Sequence, residues 1–181
     1  MHVLMIVLAV ILVAVLVVLG LALTKPNVFR LARSARIKAP PEKVYPYVAD
    51  FHRWVEWSPW EGIDAELKRT YEGAKSGIGA VYLWEGAKTG MGRMEIMDAS
   101  ANRHIGIKLD FFKPFEAHNV CEFTFEPLND IDLGHVTAVT WSMHGPMPFM
   151  SKVMHVFMNM DKMVGKDFEK GLHALKGLTE P

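Results

Sequence analysis

The chain has 181 residues, half of them hydrophobic, and its 20 Lys and Arg balance 20 Asp and Glu to a formal net charge of zero. No global field therefore draws it towards nucleic acid or acidic substrates. A single cysteine, Cys121, excludes an intramolecular disulfide and suits a reducing compartment.

Residues 1–24 contain no Lys, Arg, Asp or Glu, and from Val3 to Leu23 they are almost unbroken Val, Leu, Ile and Ala. At about 1.5 Å rise per residue, roughly 20 such residues cross a ~30 Å hydrocarbon core. A buried core helix is not apolar on every side over this length. A signal peptide has a positive n-region and a shorter apolar stretch, and Ala22-Leu23-Thr24 makes a poor cleavage site. The reading is a retained anchor over 1–24, then a basic juxtamembrane link over 25–32, then one domain over 33–181. Lys25, Arg30, Arg33, Arg36 and Lys38 follow the apolar run, and the positive-inside rule places the domain of this single-pass membrane protein in the cytoplasm.

About 155 residues remain, a common size for one domain with its own core. A first strand is expected over Arg33–Lys38. Ala39-Pro40-Pro41-Glu42 then starts a helix, with Val44, Tyr47, Val48 and Phe51 on its buried face and Pro46 kinking or shortening it. A short second helix is expected over Phe51–Trp57. From Leu67 to His144 the period changes to two, with strands expected at 67–72, 79–85, 91–99, 102–111, 116–127 and 135–144. Their connections hold Gly73–Gly77, Gly86–Gly90, Ser100–Asn102, Lys113-Pro114 and Asn129–Gly134, short enough for antiparallel hairpins. Ile105, Ile107, Leu109 and Phe111 oppose His104, Lys108 and Asp110. Cys121, Phe123 and Phe125 oppose Glu122, Thr124 and Glu126, while Val139, Trp141 and Met143 oppose Thr140, Ser142 and His144. One apolar and one wet face describe a curved antiparallel sheet covered on one side. The cover is a long helix from Met150 to Leu178, with Met150, Met154, Phe157, Val164, Phe168, Leu172 and Leu175 as its stripe. The fold class is α+β.

Asp161 falls inside that stripe, and its helical neighbours Phe157, Met158, Val164 and Gly165 offer no cation. A buried carboxylate needs a partner or neutralises. It is therefore a structural ion pair or hydrogen bond, a polar hook or general acid/base facing a cavity, or an exposed residue at the stripe's edge. Trp54, Trp57 and Trp60 crowd one short segment around Pro59, as core packing, as an aromatic mouth, or as a belt at lipid headgroups. Met147, Met150, Met154, Met158, Met160 and Met163 crowd another, as plain core or as an adaptable apolar surface. Gly73-Ala74-Lys75-Ser76-Gly77-Ile78-Gly79 lacks a Gly-Lys-Ser/Thr ending and precedes a strand, so it reads as a hairpin turn and not a phosphate loop. The histidines lack metal-ligand spacing, no Gly-x-Ser-x-Gly elbow occurs, and Cys121 lies mid-strand. No metal and no cofactor are expected.

Ala39-Pro40-Pro41-Glu42-Lys43-Val44, Trp54-Val55-Glu56-Trp57-Ser58-Pro59-Trp60 and the segment from Phe149 through Leu172 resemble the START-like (SRPBCC) superfamily, which includes the polyketide cyclase/dehydrase-like proteins, and within it the membrane-anchored bacterial members. The likeness covers residues 28–178. It implies a helix-grip fold, in which a seven-stranded antiparallel sheet wraps the C-terminal helix around an apolar cavity. The superfamily carries no shared catalytic set. Ligand contacts expected in such a cavity are Trp57, Trp60, Phe123, Trp141, Met154, Phe157, Met158 and Asp161. The first expectation is a membrane-tethered binder or carrier of an apolar small molecule such as a lipid, quinone or isoprenoid-like compound. The enzyme alternative is a cyclase, dehydratase or hydrolase on a polyketide-like or aromatic substrate, with Asp161 or His144 moving a proton. A third is a non-catalytic module whose partner is a protein.

Overall fold

The computed structural model describes residues 2–130 and 134–181. Helix α1 (His2–Leu23) is long and apolar enough to cross a membrane, and none of its most apolar stretch is buried in the chain. Strand β1 (Val28–Ile37) follows after four residues. The strand thus begins inside the segment expected to be a link, because Phe29 and Leu31 already alternate into the core while Val28 and Arg30 point out.

Helix α2 (Pro41–Ala49) starts on Pro41 and ends within a turn of Pro46, as a helix with an internal proline should. A 3-10 turn (Phe51–Glu56) follows, with the Asp50 carboxylate accepting from the His52 amide. The Trp54 and Trp57 indoles donate to the Val48 and Tyr47 carbonyls at 3.0 Å, so two tryptophans satisfy carbonyls that the end of α2 leaves open.

Six further strands complete the sheet: β2 (Lys68–Gly73), β3 (Ala80–Gly86), β4 (Gly90–Ser100), β5 (His104–Lys113), β6 (Ala117–Asp130) and β7 (Gly134–Pro146). They form one antiparallel sheet in the order β1-β7-β6-β5-β4-β3-β2. Each lies within a few residues of its expected position, and of the expected turn at 129–134, residues 131–133 lie outside the described residues. Alternation holds through Ile105, Ile107, Phe123, Phe125, Val139 and Trp141, all buried on the inner face. Asp110 departs from it. Expected on a wet face, it is buried because His118 Nδ1 and Lys108 Nζ close over its carboxylate at 2.7 and 3.0 Å.

The C-terminal cover is two helices, not one. Helix α3 (Phe149–Phe157) ends at Met158, and α4 (Met160–Thr179) restarts at once with the Asn159 side chain accepting from the Lys162 amide. Only α4 lies in the grip of the sheet, burying Phe168, Leu172 and Leu175. Helix α3 packs against α1 instead. The expected stripe therefore fails over its first turns, and Met150, Met154 and Phe157 are exposed.

Candidate functional site

Between the inner face of the sheet and the α3–α4 elbow lies a cavity of about 1150 Å³. Its walls come from inward-pointing residues of β3 to β7, including Met94, Leu109, Phe111, Cys121, Trp141 and Met143, with Val164 and Phe168 of α4 opposite. At the other end the wall includes Lys25 and Pro26, the residues between α1 and β1, together with Ser151 and His155 of α3. The void thus runs from the core to the foot of the apolar helix.

Trp141 is the floor. Its ring stacks on Phe168 at 3.9 Å and 7°, and on Phe123 at 4.9 Å, with Trp57 and Trp60 edge-on at 5.5 Å. Of the residues expected to meet a ligand, Trp60, Trp141, Phe157, Met158 and Asp161 line the cavity. Trp57 and Phe123 pack behind them, buried in the core. Met154 stands on α3 outside the wall. His144 points from the outer face of the sheet, with Nδ1 3.9 Å from Glu122, on the side away from the cavity. The structure therefore does not bring His144 and Asp161 together.

Asp161 combines two of its expected alternatives, a tertiary ion pair and exposure at the stripe's edge. Arg33 of β1 donates from both terminal nitrogens to its carboxylate at 3.1 and 3.2 Å, and from Nε to Glu169 at 2.8 Å. The guanidinium holds the Asp161 carboxyl below the usual carboxylate range and is itself raised by Asp161 first and Glu169 second. Gly165 leaves room for this clasp, since a Cβ there would meet the guanidinium. Asp161 is a rim residue whose charge is already answered.

A second charge on the wall had no signal in the sequence. Glu61 accepts from Tyr82 Oη at 2.7 Å and from Arg69 Nε at 2.6 Å. Burial, then Glu61, push the Tyr82 phenol far above its ordinary range, so it serves as a fixed donor. Cys121 is fully buried, and burial pushes its thiol up to about 12, leaving it a small apolar wall residue at neutral pH. At the mouth, partial burial and the neighbouring Lys25 lower His155. Among the described residues no group of three or more His, Cys, Asp or Glu side chains is placed to hold a metal ion. The strand residues Leu109, Phe111 and Met143 were readable as inward-facing from alternation, whereas Met94 was not singled out. That they border a void and not packed core was not readable, because it depends on how far α4 stands off the sheet.

A family profile described as polyketide cyclase / dehydrase and lipid transport matches residues 28–180. The chain belongs to this family. The polyketide cyclase / dehydrase and lipid transport match begins at the first residue of β1 and leaves α1 outside it. Among solved structures, a Nitrosospira multiformis protein superposes with a TM-score of 0.59 at 18% identity, covering 83% of this chain and 96% of that one. A Chromobacterium violaceum protein gives 0.57 at 17% identity, covering 87% and 99%. A conserved Enterococcus faecalis protein gives 0.56 at 14% identity, covering 91% and 82%. At these identities the likeness is one of fold alone. No curated protein matches the sequence.

Proposed function

We propose that this chain is a membrane-tethered binder or carrier of an apolar small molecule, a lipid, quinone or isoprenoid-like compound, drawn from the bilayer in which α1 is anchored. The observation that carries this reading is the cavity itself, floored by Trp141 and Phe168 and reaching Lys25 and Pro26 at the foot of α1. Its volume suits a lipid-sized guest, since pockets for drug-sized ligands run to roughly 300–1,000 Å³. The family is one of polyketide cyclases / dehydrases and lipid transport, which supports the same class of guest.

The mouth lies at the end of the sheet nearest α1. Register puts the start of β1 beside the end of β7, and the Gly86–Gly90 and Lys113–Ala117 hairpins at that same end. Exposed Phe115, Met150 and Phe157 favour contact there with lipid. In this reading the domain sits on the cytoplasmic leaflet of a bacterial inner membrane, with Lys25 among the headgroups. Binding is favoured over catalysis because Asp161 and Glu61 are both engaged by arginines and His144 faces away.

The test is to purify the full chain from membranes, extract it, and compare its lipids with those of α1 fused to an unrelated soluble domain. A compound enriched in stoichiometric amount with the full chain is expected. Identical lipid profiles would contradict the reading.

A further inference from the structure

The cavity wall is apolar but not uniformly so. Asn119 of β6 is 8% exposed and lines the void. It faces inward with Ala117 and Cys121, pairs across β5 with Leu109, and lies opposite Gly145 of β7. Its side-chain amide makes no hydrogen bond among the described residues. The polar side-chain atoms sealed without a partner there are Thr89 Oγ1 and Trp141 Nε1, both on residues of the same wall. The Asn119 amide differs from these, since it is buried within the protein yet open to the void.

Such a group is costly to leave unmatched. The fold also makes room for it, because a Cβ at residue 145 would meet the Asn119 side-chain oxygen. Gly145 carries no positive φ, so its missing side chain answers close approach, first of the Asn119 amide and then of the His118 carbonyl oxygen, and not a left-handed backbone. The same-face neighbours Ala117, Leu109, Phe111, Cys121 and Met143 carry no charge, and the cations that line the cavity, Lys25, Arg30 and Lys88, stand on other elements: between α1 and β1, on β1 and in the β3–β4 turn.

We propose that Asn119 is the polar recognition point of the cavity and selects an apolar molecule bearing an uncharged carbonyl or hydroxyl group. The Asn119 Nδ2–H donates to that oxygen, and its Oδ1 accepts from a hydroxyl. Asn119 stands two residues from the start of β6, at the end of the sheet nearest α1, whereas Trp141 lies farther along β7. The oxygen-bearing end of the guest therefore stays near the mouth while its apolar body runs inward to Trp141 and Phe168. This rests on the cavity-binding reading above and adds the chemistry of the guest.

The experiment uses the full chain in lipid nanodiscs, equilibrated with equal amounts of 2-tridecanone and tridecane, with retained compounds quantified by gas chromatography. Ratios are referred to empty nanodiscs, so bilayer partitioning cancels. Wild type is expected to enrich the ketone over the alkane by about tenfold, the size of one satisfied buried hydrogen bond. Asn119→Leu removes the amide, and Gly145→Ala displaces it without removing it. Both are expected to bring the ratio close to that of empty discs, and the second keeps the test open if the first fails to fold. Retention of both compounds by wild type without preference, or a preference that survives in both variants, overturns the assignment to Asn119 and leaves the cavity reading standing. Retention of neither compound overturns the cavity reading and this inference with it.

Discussion

At the residue scale, the most informative side chain is one whose partner was hidden. Asp161 posed a choice, because a carboxylate in an apolar stripe with no intrahelical cation is either answered from elsewhere or exposed, and here it is both. Arg33 gave no sign that it would answer, since its register against α4 is a property of the closed sheet. The clasp is part-exposed, so its worth is modest and salt-sensitive. Gly165→Val, which drives a side chain into the guanidinium, is expected to lower the melting temperature more than Asp161→Asn does, measured by circular dichroism. Trp141 is the opposite case, fully packed between Phe168 and Phe123. Trp141→Ala is expected to destabilise by about 3–5 kcal/mol in chemical denaturation, the range for emptying an aromatic core site. The His118–Asp110 pair sets a pH window. The bond to Asp110 raises His118, while burial of Asp110 is outweighed by its bonds to His118 and Lys108, which lower it. The histidine's contribution is complete below its ordinary pKa of about 6.5 and fades as pH rises through its raised folded value. The carboxylate's contribution is present above about 4 and fades as pH falls through its lowered value. Thermal melts of His118→Gln are therefore expected to approach those of wild type at alkaline pH and to fall below them at mildly acidic pH.

At the element scale, the strands were legible and the break in the C-terminal helix was not. Period-two alternation survives in the sequence because the inner face of β5, β6 and β7 is buried along its length. The apolar run from Met150 to Phe168 keeps helical spacing straight through Met158 and Asn159, so periodicity alone reports one helix. The break is local: Asn159 leaves helical geometry and caps α4 through the Lys162 amide. Asn159→Ala is expected to cost about 1 kcal/mol, the usual worth of such a cap, read by denaturant unfolding. The break also releases α3 from the sheet, which is why Met150, Met154 and Phe157 are apolar without being core. Of the three, Phe157 lines the cavity. Similarly, β1 was underestimated at its start because Arg30 and Arg33 look like a basic flank, although Phe29 and Leu31 between and beside them already follow strand alternation.

At the scale of the whole molecule, α1, α3, the cavity mouth and two hairpin tips converge on one end. The apolar run at the start of the sequence was the easiest feature to read, yet it says nothing about a cavity. The cavity arises from curvature of seven strands and the elbow at Asn159, which no short window of sequence encodes. Joined, they describe a cavity whose mouth lies at the foot of the apolar helix. Replacing Phe115, exposed at the β5–β6 turn, with Asp is expected to slow loading of guest from vesicles while leaving the melting temperature near wild type. The central claim is that the void between sheet and α4 holds the guest, and native mass spectrometry of the full chain released from nanodiscs tests it most directly. Wild type is expected to carry a discrete added mass of a lipid-soluble compound, and a folded Leu109→Trp variant, whose larger side chain intrudes on the void, is expected to lose it. A wild-type mass equal to that of the bare polypeptide, or an adduct retained unchanged in Leu109→Trp, would contradict the account.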